Sequence, residues 1–469
     1  MSAAPARAAP RTPLAPAFVE TLRGLFGDRL HLGEAVRAQH GASETHFAAA
    51  MPDAVVFARA TEEVIALVKA CAAVEVPIVP FGAGTSVEGN TTPVRGGVTL
   101  DLSEMNQILS VNREDFDCTV QAGVRREELN LALRDQGLFF PIDPGANATL
   151  GGMASTRASG TNAVRYGTMR DAILSLRIVT PHGRDIRTAR RARKSAAGYD
   201  LTRLMIGSEG TLGIITEVTL RLWGIPEQIS SAVCSFETLA GAVDTVVQTI
   251  QLGIPLARVE ILDDVQMKAV NQYSKLDYPE LTTLFFEFHG SEHAVKEQVA
   301  MVGALARDNG GGEFRWSNLP EERAKLWKAR HQAFYAATAM RKGAIGWPTD
   351  VCVPLGRLAE CINETKQDLE KASFPAPILG HVGDGNFHVI FVIDPNNPAE
   401  HKEAEALNQR LVQRALDMDG TCTGEHGIGL GKQHWLVREL GEDGVDMMRT
   451  IKRALDPKNL FNPGKIFAD

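Results

Sequence analysis

Cysteine is scarce in this sequence, and its spacing excludes two kinds of stabilised site. The 469 residues contain six cysteines, and no two of them form a CxxC pair or a dense framework. Scattered thiols are typical of buried side chains in a reducing compartment. We therefore expect neither a disulfide nor a cysteine-ligated metal from Cys71, Cys118, Cys234, Cys352, Cys361 and Cys422.

Long apolar runs are also absent. No segment reaches the ~18 consecutive apolar residues of a membrane-spanning helix, and the N-terminal stretch MSAAPARAAPRTPLAP lacks the apolar core of a secretory signal. We expect a cytoplasmic protein without a transmembrane segment. Peripheral attachment at an inner membrane, and a mitochondrial location in a eukaryote, stay open. Arginine without acid in that stretch is typical of a mitochondrial presequence, whereas its prolines oppose the amphipathic helix that a presequence needs.

Positive charge is not concentrated in a way that suits nucleic acid. The formal net charge is −8, with 57 acidic and 49 basic residues dispersed along the chain. Nucleic acid is therefore not an expected partner. The basic cluster RTARRARKS at residues 187–195 fits either a docking site for an acidic electron carrier or a solvated hairpin. The hairpin is the preferred interpretation, because charge runs usually form solvated surface.

The order of strand-like and helix-like segments predicts an α+β protein of more than one domain. A chain of this length, with 44% hydrophobic residues, exceeds one ordinary core. Residues 54–220 alternate short strand patterns with helical ones, and the break at 223–230 precedes a new alternation that predicts an antiparallel sheet covered by helices. We place a lead-in at 1–48, domains at 49–224 and 225–420, and a C-terminal segment at 421–469.

Three glycine-rich segments stand out. The loop PFGAGTSVEGN, residues 80–90, follows an apolar strand, and its glycines let backbone amides turn toward an anion. Its spacing is neither GxGxxG nor GxxxxGK[ST], so no nicotinamide or P-loop fingerprint is present. Alone it could be a tight connection. With the second cluster at 143–171 and the third at 207–222, it can enclose one elongated polyphosphate ligand.

Two histidines flank a glycine turn in HVGDGNFH, residues 381–388, and GEHGIG adds an acid and a third histidine at residues 424–429. His381, His388 and Glu425 offer nitrogen and oxygen donors that suit Zn²⁺ or Mn²⁺. The alternative is that the histidines form hydrogen bonds in a core, or that Asp384 and Asn386 make an Asx-type turn. Spacing alone leaves both open.

On these loops and this histidine motif, residues 50–467 resemble the FAD-binding oxidoreductase/transferase type 4 family, which has the vanillyl-alcohol oxidase fold. Within it they are similar to the branch of cytochrome-linked D-lactate and D-2-hydroxyglutarate dehydrogenases. The resemblance implies a PCMH-type FAD-binding domain of two α/β subdomains, an antiparallel-sheet substrate (cap) domain and a helical C-terminal segment that returns to the FAD site. It also implies FAD bound non-covalently, because the loop at 80–90 has no histidine or cysteine for a flavin tether.

The resemblance assigns FAD contacts to the three glycine-rich segments and to one C-terminal asparagine. The residues that match are Pro80, Phe81, Gly82, Ala83, Gly84, Thr85, Ser86, Gly89, Asn90, Pro144, Gly145, Ala146, Gly151, Gly152, Ala154, Ser155, Ser159, Gly160, Asn162, Val164, Tyr166, Glu209, Gly210, Gly213, Ile214, Ile215 and Asn462.

The resemblance also assigns the chemistry. It implies a divalent metal, Zn²⁺ or Mn²⁺, on His381, His388 and Glu425, where it would chelate the 2-hydroxyl and carboxylate of a D-2-hydroxy acid. His426 is the candidate base, since a neutral imidazole suits proton transfer near neutral pH. Arg330 aligns with the family's carboxylate-binding arginine, and a guanidinium fork is the natural partner of a carboxylate.

Two apolar residues restrict the class of substrate that we expect. In the hydroxyglutarate branch a threonine four residues after the arginine, and an asparagine two residues after the second histidine, serve a distal carboxylate. This chain has Phe334 and Ile390 there. Apolar side chains leave a second buried carboxylate without hydrogen bonds, so we expect a monocarboxylate, D-lactate first, oxidised to pyruvate. Trp347 is expected to line the pocket.

Several alternatives stay open at this stage. D-2-hydroxyglutarate or glycolate oxidation is the alternative within the family, and a non-redox flavin transferase or a metal hydrolase is the alternative from another class. The electron acceptor could be a cytochrome, a quinone or an electron-transfer flavoprotein. The sequence does not fix the identity of the metal or the oligomeric state, for which a homodimer is one candidate.

Overall fold

The computed structural model describes residues 13–468. Most of the stretch considered above as a presequence therefore lies outside the described residues. None of the described helices is both long and apolar enough to cross a lipid bilayer. All six cysteines are described and are free thiols.

Sixteen α-helices and two short 3₁₀ turns (Gly27–Arg29 and Leu355–Arg357) occur in the described chain. The helices are α1 Pro16–Phe26, α2 Glu34–Gly41, α3 Thr61–Val74, α4 Arg126–Arg134, α5 Leu150–Thr156, α6 Ala163–Tyr166, α7 Met169–Ala172, α8 Leu201–Met205, α9 Leu239–Gln251, α10 Asp264–Ser274, α11 Glu292–Asp308, α12 Pro320–His331, α13 Ala333–Ala339, α14 Leu358–Leu369, α15 Pro398–Asp417 and α16 Gln433–Leu455.

Nineteen strands accompany them in the same residues. They are β1 Leu30–His31, β2 Ala54–Phe57, β3 Ile78–Phe81, β4 Val98–Asp101, β5 Ile108–Asn112, β6 Asp117–Gln121, β7 Leu138–Phe139, β8 Ile173–Val179, β9 Asp185–Arg187, β10 Ile214–Arg221, β11 Trp223–Gly224, β12 Gln228–Phe236, β13 Leu256–Leu262, β14 Thr282–Gly290, β15 Arg315–Ser317, β16 Ile345–Pro348, β17 Val351–Cys352, β18 Ile378–Gly380 and β19 Asn386–Ile393.

The chain divides into two compact units. The first unit comprises the residues up to Ala158, then Thr168–Gly224, and then Glu425 onward. The second unit comprises Ile225–Gly424 and also the short segment Ser159–Gly167. In sequence, this segment lies between α5 and α7, which both belong to the first unit.

The first unit contains a four-stranded sheet and a five-stranded sheet. The four-stranded sheet has the order β1-β2-β4-β3, with β2, β4 and β3 parallel, and the five-stranded sheet β5-β6-β10-β8-β9 is antiparallel throughout. A shared apolar core holds α3, whose inward side chains Val64, Leu67 and Val68 are fully buried. Because β3 ends at Phe81, its carboxyl end opens directly into the glycine-rich loop.

The second unit is built on one antiparallel sheet in the order β15-β12-β14-β13-β18-β19-β16, with β17 also paired to β19. Strand β14, TTLFFEFHG, is buried along nearly its whole length. A continuous apolar strand is expected where helices cover both faces of a sheet. Helices α9 and α11 contact it, as does α10, whose apolar residues share a cluster with those of α12 and α13.

The basic stretch at residues 187–195 is exposed, and only Arg187 belongs to a strand. Arg191 forms ion pairs with Asp115 at 2.6 Å and Asp117 at 3.0 Å. Part of the positive charge is therefore neutralised by neighbouring carboxylates.

Candidate functional site

The glycine-rich loop at residues 80–90 has the backbone of an anion cradle. Gly84 and Gly89 both have φ of +70°, which favours glycine. A Cβ on Gly84 would lie 2.6 Å from Cζ of Phe81, and one on Gly82 would lie 2.2 Å from Oγ1 of Thr149. The loop therefore needs glycine both for its turn and for its close approach to the segment that carries Thr149.

Two polar atoms of this loop are buried without a partner among the described residues. They are Oγ of Ser86 and Oδ1 of Asn90. A buried polar atom without a hydrogen bond costs about 1–3 kcal/mol, so these atoms are expected to bind a ligand. Hydroxyl and amide groups beside turned backbone amides fit the diphosphate of a dinucleotide.

Glu209 joins the third glycine-rich segment to this loop. Its buried carboxylate accepts hydrogen bonds from Nδ2 of Asn90 at 2.7 Å and from the backbone amides of Ile428 at 2.7 Å and Gly429 at 2.9 Å. Burial raises the pKa of Glu209 above its ordinary value, although these hydrogen bonds oppose the rise. Asn462 donates to the backbone carbonyls of Asn90 and Glu209. The first unit thus brings together the loop at 80–90, the third glycine-rich segment and the segment that carries Asn462. The carboxylate of Glu209 is hydrogen-bonded to groups of this unit.

The second glycine-rich segment is split between the two units. Its part in the first unit runs through α5, where Thr149 caps the helix and a Cβ on Gly151 would lie 2.6 Å from Cβ of Ala122. The predicted FAD residues on this part are Pro144, Gly145, Ala146, Gly151, Gly152, Ala154 and Ser155. Those in the second unit are Ser159, Gly160, Asn162, Val164 and Tyr166.

A buried polar network holds the second part on its sheet. The hydroxyl of Tyr166 lies 2.7 Å from Nδ1 of His289, whose Nε2 lies 2.8 Å from Oε1 of Glu287. Arg258 donates from Nε to Oδ1 of Asn162 at 2.9 Å and pairs with Glu287 at 3.3 Å. Burial alone would raise the pKa of Glu287, but Arg258 and His289 lower it to about 2. No motif indicated this network, because its members come from three segments that are distant in sequence.

The two histidines of HVGDGNFH lie close together. His381 follows the end of β18, and His388 lies in β19, where it pairs with Leu379. Their ring centroids are 5.5 Å apart and their planes stand at 84°. Nδ1 of His388 lies 2.9 Å from the carbonyl oxygen of Thr349. A carbonyl only accepts, so Nδ1 carries the proton and Nε2 carries the lone pair that a metal would use.

Glu260 is a site residue that sequence reasoning missed. It lies in β13 with a side chain that is 0% exposed, and it accepts hydrogen bonds from Nδ1 of His381 at 2.7 Å and Nε of Arg330 at 2.6 Å. Burial by itself would raise the pKa of Glu260, but the charges of and hydrogen bonds from His381 and Arg330 hold that pKa below its ordinary value. The available signal was a carboxylate inside the apolar strand ARVEIL.

Asp350 is the second missed residue. It is fully buried and accepts hydrogen bonds from Nδ2 of Asn386 and Oγ1 of Thr423, both at 2.8 Å. A Cβ on Gly424 would lie 2.2 Å from Nδ2 of Asn386, so the chain passes close to β19 at this point. Asp350 therefore ties β19 to the segment that ends this part of the second unit at Gly424.

The turn between the two histidines touches a predicted FAD segment within the second unit. A Cβ on Gly383 would lie 2.7 Å from Cγ2 of Val164 and 2.8 Å from Cγ1 of Val259. Only glycine fits there. The loop assigned to the metal and part of the segment assigned to FAD are therefore packed against each other.

Two of the predicted specificity residues, Phe334 and Ile390, form an apolar surface on the face of β19 that carries His388. Ile390 lies two residues after His388 in β19, on the same face of the strand, and is 2% exposed in an apolar cluster against which Phe334 packs. The Trp347 ring meets Phe391 edge-on with centroids 6.0 Å apart. Trp347 pairs with Phe391 across β16 and β19, so it faces the opposite side of the sheet from Ile390.

Comparison with known proteins finds similar proteins that match this chain over nearly its whole length. A family model described as "FAD binding domain" matches residues 52–189, and one described as "FAD linked oxidases, C-terminal domain" matches residues 225–466. The chain is 52% identical to "Probable D-lactate dehydrogenase, mitochondrial" of Danio rerio, over 96% of this chain and 91% of that protein. It is 47% identical to "D-lactate dehydrogenase (cytochrome), mitochondrial" of Arabidopsis thaliana, over 96% of this chain and 80% of that protein.

A solved structure shares the fold. p-Cresol methylhydroxylase superposes with a TM-score of 0.80 at 20% identity, covering 97% of this chain and 96% of the other. At that identity the likeness shows the fold alone. It confirms the predicted α+β class with an FAD-binding domain and a C-terminal domain.

Proposed function

The chain belongs to the family of FAD-linked oxidases that includes the cytochrome-type D-lactate dehydrogenases, and on this premise we propose that it oxidises D-lactate to pyruvate. The observation that carries the proposal is the juxtaposition of His381, His388 and Arg330 beside an apolar surface. Histidine nitrogen and arginine suit a 2-hydroxy acid, and the apolar surface suits a methyl group. The electrons would pass to an acceptor other than nicotinamide.

FAD is the cofactor that the first unit fits. Turned glycines and the unpartnered atoms of Ser86 and Asn90 supply a diphosphate cradle. Bound FAD would accept the two electrons and the hydrogen that leave the α-carbon of the substrate. The loop has no histidine or cysteine, so we propose non-covalent binding. Acid precipitation is expected to release the flavin into the supernatant, and flavin retained on the protein pellet would contradict this.

A single alanine in the cradle should loosen the cofactor. Gly84→Ala places a Cβ at positive φ and against Phe81. At about 1–2 kcal/mol for a left-handed alanine, FAD affinity should fall about 5- to 30-fold, measured by fluorescence titration of the apoprotein. Gly24→Ala is the matched control, since Gly24 lies on the exposed face of α1 with nothing within 4 Å of an added Cβ. Equal affinity of both variants would remove Gly84 from the cradle.

We propose that His381, His388 and Glu425 hold a divalent cation, Zn²⁺ or Mn²⁺. The donor set is chemically suitable, and each imidazole has Nδ1 engaged by an oxygen acceptor, as is usual for metal-bound histidine. A cation there would act as a Lewis acid on the 2-hydroxyl and lower its pKa. His426, the next residue after Glu425, would take the hydroxyl proton, and Arg330 would bind the substrate carboxylate.

The substrate side chain would meet Phe334 and Ile390. Neither can donate a hydrogen bond to a distal carboxylate. A methyl group loses no hydrogen bond when it is buried there. A second carboxylate would lose its hydration and gain no hydrogen bond in exchange. Glycolate, which lacks the methyl group, is the alternative substrate within the family.

A substrate panel tests the proposal. We expect kcat/KM for D-lactate to exceed that for D-2-hydroxyglutarate by at least ~100-fold, about 3 kcal/mol, which is the order of an unpaired buried polar group. Glycolate should fall below D-lactate by the contribution of one buried methyl group, roughly tenfold. A preference for D-2-hydroxyglutarate would overturn the argument from Phe334 and Ile390.

A further inference from the structure

Glu260 contacts both of the second-unit groups on which the proposed chemistry depends. One oxygen of its carboxylate binds His381, and the other binds Arg330. These two partners come from different elements: the loop after β18 and the end of α12. Strand β13 pairs with β18 so that Ile261 faces Gly380, which places Glu260 beside the residue that follows Gly380.

We infer that Glu260 is a positioning residue that couples metal binding by His381 to carboxylate binding by Arg330. This inference rests on the proposed function. A carboxylate accepts only, so Nδ1 of His381 donates its proton to Glu260 and Nε2 becomes the coordinating nitrogen. Glu260 thereby selects the tautomer that can bind a metal and fixes the plane of the ring.

The same carboxylate orients the arginine. Arg330 donates to Glu260 through Nε, and its side chain is 13% exposed. A planar guanidinium bound through Nε keeps its two terminal nitrogens for a second anion, in a plane that the first anion sets. Because one rigid strand position holds both groups, a displacement of Glu260 changes the metal ligand and the substrate ligand together.

An amide cannot replace this carboxylate. Glutamine has the same shape, but one of its two terminal atoms becomes an NH₂ donor that would face a donor on either His381 or Arg330. Aspartate keeps the charge but is one methylene shorter than Glu260. Both 2.6–2.7 Å hydrogen bonds cannot then be kept without moving the partners.

The test measures metal affinity and substrate kinetics on the same FAD-loaded variants. For Glu260→Gln we expect Zn²⁺ affinity, measured by competition with a chromogenic chelator, to fall about 10- to 100-fold. We expect KM for D-lactate at saturating Zn²⁺ to rise at least about tenfold, because Arg330 is also displaced. Glu260→Asp should change both quantities in the same direction by less.

Glu400→Gln is the matched control. Glu400 is a buried carboxylate of the second unit that pairs with Arg341 at 2.7 Å and has no part in the proposed chemistry. Its replacement should lower the unfolding midpoint while leaving Zn²⁺ affinity and KM unchanged. Should Glu260→Gln not fold, Glu260→Asp carries the same two measurements.

The outcomes separate the inference from the proposed function. Wild-type metal affinity and KM in Glu260→Asp, or in folded Glu260→Gln, would reduce Glu260 to a structural residue and overturn the inference. A change in only one of the two quantities would overturn the coupling. A wild-type protein that binds no Zn²⁺ or Mn²⁺, or that leaves D-lactate unoxidised, would instead refute the proposed function.

Discussion

Replacing His426 by alanine is expected to lower kcat for D-lactate about 10²- to 10⁴-fold, the contribution of a general base. The reason is that the 2-hydroxyl must lose its proton as the α-carbon is oxidised, and an imidazole that is neutral near pH 7 can accept it. FAD content should stay at the wild-type level. Anaerobic stopped-flow reduction of the flavin measures the step directly, without the electron acceptor.

The control for His426→Ala is His434→Ala, which removes a histidine from the first turn of α16, outside the predicted site. It should reduce the flavin at the wild-type rate. If His426→Ala also keeps the wild-type rate of flavin reduction, His426 is not the base. If its rate is restored by added imidazole, the assignment gains independent support.

Replacing Arg330 by methionine is expected to lower kcat/KM for D-lactate about 30- to 5,000-fold. The estimate follows from about 2–5 kcal/mol for truncating one partner of a buried, hydrogen-bonded charge pair. Two effects add: the substrate carboxylate loses its fork, and Glu260 keeps only His381 as a partner. Steady-state kinetics over a range of D-lactate concentrations should show the loss mainly in KM.

Arg341→Met is the matched change. Arg341 also pairs with a buried glutamate, Glu400, and stands on the segment that follows α13. Its loss should leave kcat/KM within about twofold of the wild type, as expected for residues away from the reacting groups. An Arg330→Met enzyme with unchanged KM would show that another group binds the substrate carboxylate.

The local parts of the fold could be predicted from the sequence because they depend on residues that are close together along the chain. The segment TEEVIALVKACAAV carries a helical pattern of apolar residues and forms α3. It lies in the region 54–220, where strand and helix patterns were expected to alternate. The antiparallel sheet of the second unit was expected from the order of strand and helix patterns after residues 223–230. His381 and His388 could be recognised as neighbours because only a single glycine turn separates them. Residues on either side of a tight turn are close in space as well as in sequence.

Contacts between segments that are distant in sequence could not be predicted in this way. Glu260 lies 121 positions before His381 in the sequence. In the alternation of ARVEILDD it is simply one polar residue of a strand. Asp350 lies 73 positions before Thr423, whose hydroxyl donates to it. Likewise, no pattern showed that residues 159–167 leave the first unit and fasten to the second unit through Tyr166.

The central claim is tested most directly by anaerobic titration of the FAD-loaded enzyme with D-lactate, with and without prior removal of metal by a chelator. We predict that D-lactate bleaches the visible absorbance of the oxidised flavin, that chelation slows this at least about 100-fold as loss of Lewis-acid assistance requires, and that added Zn²⁺ or Mn²⁺ restores it. An oxidised flavin that stays unreduced by D-lactate in the metal-replete enzyme would contradict the account.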